Sequence, residues 1–327
     1  MSDSALSPYV IDMDRGGRLS GSGAFRTTEA DVRALAGERL DRACARWGIA
    51  EGAAVDIAIY VHGGLTSEAQ AAQTFSRWLP ALWAARKFPV FLMWESDLLS
   101  QLRDLLAGVA EAAARPAGVV QEWWDQRLER LLAGPGTLLW DEMKRNAAAI
   151  SSGAHAGGRM FFDALARSNA AARYRLRVHL VGHSAGSIAL AFLVDRLAAR
   201  EWDFETLTFL APAIRVERFE ERVRPWLEAG RIRRFVEFHL TDAAERADPS
   251  MRGLLGYSHS LLCLVSRAFE GPREAPILGM QRWFPADLAR MPPVRVVIAP
   301  SEASGATTHA AFDEDGATMA SVIAGMQ

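Results

Sequence analysis

The segment LRVHLVGHSAGSIALAFLVDRLAAR, residues 176–200, decides our interpretation of the fold. Its first six residues form a short apolar run of the kind that fills a buried strand, and residues 187–200 are typical of a helix. Gly182-His183-Ser184-Ala185-Gly186 joins the two. This context predicts a sharp, strained turn that presents Ser184, with the N–H groups of the following helix directed at its oxygen. The alternative is a glycine-rich turn that serves only packing.

Strands and helices alternate along most of the remaining chain. This alternation predicts an α/β fold with a mostly parallel sheet and helices on both faces. We expect one domain over 1–327, in which residues 1–50 form a β-hairpin at 9–22 and a helix from Thr28 to Trp47. The predicted strands of the sheet are 54–61, 88–94, 176–181, 207–210, 234–240 and 294–299.

A second motif, His62-Gly63-Gly64-Leu65, directly follows the first predicted buried strand. An acyl-transfer site needs two N–H donors for the developing oxyanion. We expect one from Ala185, immediately after the serine, and the other from Gly64 or Leu65. We interpret His62 as a hydrogen-bonding brace for this loop.

HGGL after one strand and GHSAG after a later one resemble the α/β-hydrolase superfamily. The resemblance implies a nucleophilic serine followed along the chain by an acid and then a histidine. His309 lies about ten residues past the last predicted strand, where the resemblance places the histidine. His259 is a weaker alternative.

The resemblance places the acid after the strand 234–240. Asp242 stands at the carboxyl end of that strand, where α/β sheets build their sites. Asp248 and Glu245, in the same loop, are alternatives. Asp242 also fits a purely structural role at the start of a helix.

Residues 97–150 form an insertion between the two motifs. The sequence predicts three helical stretches there, broken at Arg115-Pro116 and at Gly134-Pro135-Gly136. Because the insertion carries Trp123, Trp124 and Trp140, we expect an apolar helical cap that binds substrate and excludes water. A packed layer without substrate contact is the alternative.

Composition excludes several other classes of protein. The net charge of −2 supplies no strong field for nucleic acid, and two cysteines, Cys44 and Cys263, exclude a disulfide framework. The N-terminus lacks a secretory pattern, and no apolar run approaches the roughly 20 residues that span a bilayer. We therefore expect a cytoplasmic protein without integral membrane association.

Together these features predict a serine hydrolase that needs no cofactor and no metal. Its expected partner is a small apolar carboxylic ester or thioester. Ser184 attacks the carbonyl, His309 transfers the proton, and Asp242 orients His309. Two alternatives remain: an acyltransferase that uses the same triad, and a non-catalytic binding protein of the same fold.

Overall fold

The computed structural model describes residues 3–64, 66–94, 101–102, 104–105, 108, 120–252 and 256–327. Seven strands form one sheet in the order β1-β3-β2-β4-β5-β6-β7, and every neighbouring pair is parallel. The predicted parallel α/β sheet is therefore confirmed. The strands are β1 (Val10–Met13), β2 (Ala54–Val61), β3 (Lys87–Trp94), β4 (Arg175–His183), β5 (Thr206–Leu210), β6 (Phe235–Leu240) and β7 (Val294–Ala299).

Helices lie around this sheet, and the helical region predicted from Thr28 begins directly after that residue. Thr28 and Ser67 each form a capping box, and Gly48 ends a helix with a φ of 66°. The helices are α1 (Asp3–Leu6), α2 (Glu29–Ala34), α3 (Leu40–Trp47), α4 (Glu68–Ala84), α5 (Gln121–Ala149), α6 (Gly157–Ala166), α7 (Asn169–Arg173), α8 (Gly186–Ala198), α9 (Val216–Arg222), α10 (Arg224–Glu228), α11 (Asp242–Ala247), α12 (Leu261–Leu264) and α13 (Gly316–Gly325).

The two faces of the sheet pack into two apolar clusters. Ile57 and Ile59 of β2 belong to one cluster, whereas Ala58 and Tyr60 belong to the other. Side chains alternate between the faces of a strand, so both faces are covered. No helix within the described ranges is long and apolar enough to cross a membrane.

The predicted N-terminal hairpin is only partly present. A turn follows Met13, but the returning segment makes a single antiparallel bridge, between Met13 and Leu19. The first arm instead becomes β1 and pairs in parallel with β3, with Val10 opposite Phe91. All four residues of β1 are buried, which suits a strand of the central sheet better than an exposed hairpin.

The predicted helix break at Gly134-Pro135-Gly136 is wrong, because α5 continues through it for 29 residues. Thr137 donates its hydroxyl hydrogen to the carbonyl of Ala133 at 2.6 Å, beside the proline. A Cβ on Gly136 would lie 2.4 Å from the ring of Phe269, so this glycine permits close packing and does not end the helix. The predicted break at Arg115-Pro116 lies outside the described residues.

The strand order reverses direction between β2 and β4. From β2 the chain passes through α4 to β3 on one side, and from β4 it passes through α8 to β5 on the other. Val61 lies opposite Gly182 in the register, so both strands end side by side. Open α/β sheets bind ligands at such a reversal, outside the carboxyl ends of the strands.

Candidate active site

Ser184 occupies the turn between β4 and α8, and its backbone is strained. Its φ is 51°, in the left-handed region that residues with a Cβ rarely adopt. Ser184 N–H donates to the carbonyl of Leu210 at 2.9 Å, and its own carbonyl accepts from Ala213 N–H at 3.1 Å. A Cβ on Gly186 would lie 2.4 Å from the carbonyl oxygen of Val61. The turn therefore needs glycine beside the serine, as the sequence indicates.

His309 meets Ser184 directly. The Nε2 atom of His309 lies 2.9 Å from Ser184 Oγ, and both side chains are buried. Burial and the nearby His183 lower the pKa of His309 to about 3. Above that value the imidazole is neutral, and Nε2 can accept a proton from the serine when Nδ1 carries the ring hydrogen. The structure thus joins two of the three predicted catalytic residues.

The third predicted residue, Asp242, does not meet His309. Asp242 begins α11, and its main-chain N–H donates to Gln281 Oε1 at 2.9 Å. Within the described residues, no hydrogen bond or ion pair joins its carboxylate to His309. A carboxylate in the first turn of a helix is favourable towards the helix dipole, which accounts for an acid at this position.

Asp248, which the sequence offers as an alternative, does contact His309. Its Oδ2 accepts the main-chain N–H of His309 at 2.8 Å, and its Oδ1 accepts the N–H of Ser250 at 2.8 Å. Glu245, the other alternative, accepts a hydrogen bond from Ser260, and burial raises its pKa to about 8. His309 Nδ1 is buried without a hydrogen-bond partner among the described residues.

His183 and Asp313 form a buried pair beneath this site that the sequence analysis does not identify. His183 Nδ1 lies 2.9 Å from Asp313 Oδ2, and Tyr60 donates its hydroxyl hydrogen to the same carboxylate. Burial by itself would lower the pKa of His183. The charge and the hydrogen bond of the Asp313 carboxylate have the larger effect, so the pKa of His183 is raised. The one signal in the sequence is that His183 directly precedes Ser184.

These contacts hold the main chain of His309 from both sides. Asp248 accepts its N–H, and the Nε2–H of His183 donates to its carbonyl at 3.1 Å. The rings of His183 and His309 are 5.2 Å apart. The position of the imidazole is therefore set largely through its backbone.

The loop after β2 lies against the serine turn. A Cβ on Gly64 would be 3.0 Å from the Cβ of Ala185, so the two predicted oxyanion donors are neighbours. His62 Nδ1–H donates to the carbonyl of Gly63 at 2.8 Å, and its Nε2 accepts Trp94 N–H at 3.2 Å. Burial lowers the pKa of His62 to about 4, which fits a neutral brace. Leu65 lies outside the described residues.

The remaining sequence-predicted alternatives lie elsewhere. His259 Nδ1–H donates to the carbonyl of Arg246 at 3.2 Å, and its Nε2 is 3.8 Å from Asp125. In the described part of the chain, no cluster of three or more His, Cys, Asp or Glu side chains could hold a metal ion. Comparison of the chain with protein-family models gave no match, and comparison with curated proteins gave none either.

Proposed function

We propose that the protein is a serine hydrolase with an α/β-hydrolase fold that cleaves a carboxylic ester or thioester. The observation that carries this proposal is the 2.9 Å contact between Ser184 Oγ and His309 Nε2 at the strained turn where the sheet reverses direction. A nucleophile within hydrogen-bond distance of a base is the common feature of such enzymes.

In this proposal Ser184 Oγ forms a bond to the carbonyl carbon and transfers its proton to His309 Nε2. The carbonyl oxygen becomes an oxyanion, which the N–H groups of Ala185 and Gly64 stabilise. The tetrahedral intermediate then breaks its bond to the alcohol or thiol, which leaves with the proton from His309. Water next attacks the acyl-enzyme, with His309 accepting its proton, and the carboxylic acid leaves as Ser184 is regenerated.

We assign the acid of the triad to Asp248 in place of Asp242. The Asp248 carboxylate already contacts the main-chain N–H of His309, so it is close to the residue whose positive charge develops during the reaction. In this assignment the buried Asp248 carboxylate stabilises the positive charge that forms on His309. We treat His183 and Asp313 as positioning residues. His183 donates a hydrogen bond to the carbonyl of His309, and Asp313 pairs with His183.

Helix α5 supports the proposed cap. A Cβ on Gly64 would lie 3.0 Å from Met143 Cγ, so α5 reaches the proposed oxyanion loop. Met143, Trp140 and Trp124 are buried on the same helix. Buried apolar side chains beside the proposed oxyanion donors suit an apolar acyl group and exclude water from the reaction. The role of α5 in substrate binding, a cytoplasmic location and the choice between water and another acyl acceptor stay predictions.

A fluorophosphonate probe tests the nucleophile. We expect covalent labelling at Ser184, identified by mass spectrometry of the labelled peptide, and none in the Ser184→Ala variant. The His259→Ala variant is a matched control, because His259 does not contact the site, and it should retain labelling. Labelling of another serine in the folded protein, or none at all, would contradict the proposal. Turnover of p-nitrophenyl esters with and without an added alcohol then distinguishes hydrolysis from acyl transfer.

A further inference from the structure

A cavity of about 360 Å³ lies between α5, α8 and α9. Ligand pockets in proteins commonly enclose about 300–1,000 Å³. Ile188 of α8 lines the cavity, and its main-chain N–H donates to the carbonyl of Ala185, the residue after Ser184, at 3.0 Å. Ile214 also lines it and follows Ala213, which hydrogen-bonds the carbonyl of Ser184. Two residues of the cavity wall therefore stand close in the chain to residues of the serine turn.

The walls of this cavity combine apolar and cationic side chains. Apolar surface comes from Ala148, Ile188, Ala191, Phe192 and Ile214. Five basic side chains and two acidic ones complete the lining. Both acidic side chains, Asp141 and Glu270, pair with Lys144, at 2.9 and 3.0 Å. The other four basic residues, all arginines, thus have no acidic partner within the lining.

Two of those arginines have a buried donor atom without a described acceptor, and a third has no described side-chain partner. The side chain of Arg145 is exposed and has no ion pair or hydrogen bond to any residue that the structure describes. Arg215 pairs with Glu217 at 2.8 Å, and Arg222 pairs with Asp195 at 2.7 Å, yet the Nε of each arginine is buried without a described acceptor. A buried donor without an acceptor destabilises a protein, so an anion that approaches these guanidinium groups is favoured.

Positive charge is also concentrated beside the apolar wall of the cavity, at the ring of Phe192. The guanidinium carbon of Arg222 lies 4.2 Å from the centre of the Phe192 ring, and that of Arg196 lies 5.4 Å from the same ring. Burial and the like charge of Arg222 lower the pKa of Arg196. A bound anion relieves this repulsion, whereas a neutral ligand does not.

We propose that this cavity binds an amphipathic anion, a carboxylate or phosphate attached to a short apolar chain. Resting on the proposed hydrolase function, we infer that it holds the end of the substrate remote from the ester. The apolar chain contacts Ile188 and Phe192, and the anionic group contacts Arg145, Arg215 and Arg222. The substrate class is then an anionic ester.

Binding to the full chain with Ser184→Ala tests the site without turnover. Titration calorimetry compares octanoate, octyl phosphate and neutral methyl octanoate. We expect both anions to bind at least tenfold more tightly than the methyl ester, and the tighter of the two identifies the preferred anion. Raising the salt concentration should weaken only the anions. Equal affinity of charged and neutral ligands would overturn the proposal.

Arginine variants locate the binding site within the molecule. Arg145→Gln should weaken octanoate binding at least threefold. Arg222→Gln, as a separate variant, should weaken octanoate binding more than Arg145→Gln does. Since Arg145 is exposed and has no described partner, its replacement should leave folding intact. Arg26→Gln is the matched control, because Arg26 is exposed and does not line the cavity. Unchanged affinity in Arg145→Gln and Arg222→Gln would overturn the assignment.

A kinetic comparison separates this inference from the proposed function. For the unmodified protein, kcat/KM for p-nitrophenyl hemiesters of diacids should exceed that of neutral esters of equal length at least tenfold, and Arg145→Gln should reduce the difference. Equal turnover of both would leave the hydrolase proposal standing and refute the cavity as the substrate's anionic subsite. No turnover of either, with octanoate still bound, would refute the hydrolase and retain the anion site.

Discussion

Strands β2 and β4 carry one buried cluster of polar side chains at their amino ends and another at their carboxyl ends. The two clusters differ in how many of their polar atoms have hydrogen-bond partners. At the amino ends, Asp56 of β2 stands between Lys87 of β3 and Arg177 of β4 in the strand register. At the carboxyl ends, Ser184 meets His309 above the pair of His183 and Asp313.

The amino-end cluster is saturated. Asp56 accepts hydrogen bonds from Lys87 at 2.6 Å, from Arg177 at 2.6 and 2.8 Å, and from His179 at 3.0 Å. The other ring nitrogen of His179 bonds Thr206 at 2.9 Å. Burial alone would raise the pKa of Asp56, but these hydrogen bonds lower it well below its usual range. Such a network stabilises the fold, and both carboxylate oxygens of Asp56 are engaged in hydrogen bonds.

The carboxyl-end cluster is strained and incomplete. Ser184 has a positive φ, and His309 Nδ1 is buried without a described partner. Both features reduce stability, and such costs are concentrated at functional sites. The same two strands thus carry one cluster suited to stability and one suited to reaction. We therefore expect substitutions at the carboxyl ends to lower turnover and substitutions at the amino ends to lower stability.

The largest expected effect is that of His309→Ala on turnover. Since His309 accepts and returns the proton in the proposed reaction, kcat should fall on the order of 10³-fold or more. The free energy of unfolding should hardly change. Ester hydrolysis and urea denaturation measure the two quantities.

His179→Ala is the matched control at the opposite end of β4. It removes a buried histidine that bonds Asp56 and Thr206, so stability should fall while the kcat of the folded fraction is retained. If His179→Ala abolished turnover and His309→Ala did not, the functional contrast between the two ends would be reversed.

The next largest effect is that of Asp56→Asn on stability. Removing one partner of a buried ion pair costs about 3–5 kcal/mol, because the remaining charges stay buried. A lowered native pKa contributes stability that is present above the unfolded pKa of about 3.9 and is lost as the pH falls. Unfolding of the wild-type protein should therefore become easier below about pH 5, and Asp56→Asn should flatten that dependence. An equally steep dependence in the variant would assign the acid sensitivity to other carboxylates.

A smaller effect is expected at the acid of the triad. Asp248→Asn should lower kcat at least tenfold with little change in KM, because an amide cannot stabilise the positive charge that forms on His309. Asp242→Asn, in the same loop, should change kcat less than threefold. If Asp242→Asn were the damaging change, the prediction made from the sequence would be correct and our assignment to Asp248 wrong.

The positions of β2 to β7 along the chain and the position of the serine could be predicted from the sequence because both depend on local patterns. Apolar runs mark β2 and β4, and two glycines mark the turn at Ser184. The contact of His309 with Ser184 agrees with the predicted order along the chain.

The proposed acid, and the pair of His183 and Asp313, could not be predicted because their contacts join residues far apart in the sequence. Asp248 reaches His309 across 61 residues, and His183 lies beside Asp313 from a strand more than a hundred residues earlier. Propensity gives no information on such distances. The continuation of α5 through Pro135 likewise depends on tertiary packing, in which Gly136 lies against Phe269.

The smallest effects concern α5, where a buried and an exposed residue can be compared. Met143 is buried beside Gly64, whereas Trp123 is 46% exposed. Met143→Ala should open space near the proposed oxyanion loop and move the preferred acyl chain to greater length, by about fourfold in kcat/KM for each methylene that is newly buried. Trp123→Ala should change kcat/KM less than twofold and stability by less than about 0.5 kcal/mol. A series of p-nitrophenyl esters of rising chain length measures both variants. If Trp123→Ala shifted the chain-length profile and Met143→Ala did not, the substrate would bind the exposed side of α5, away from the oxyanion loop.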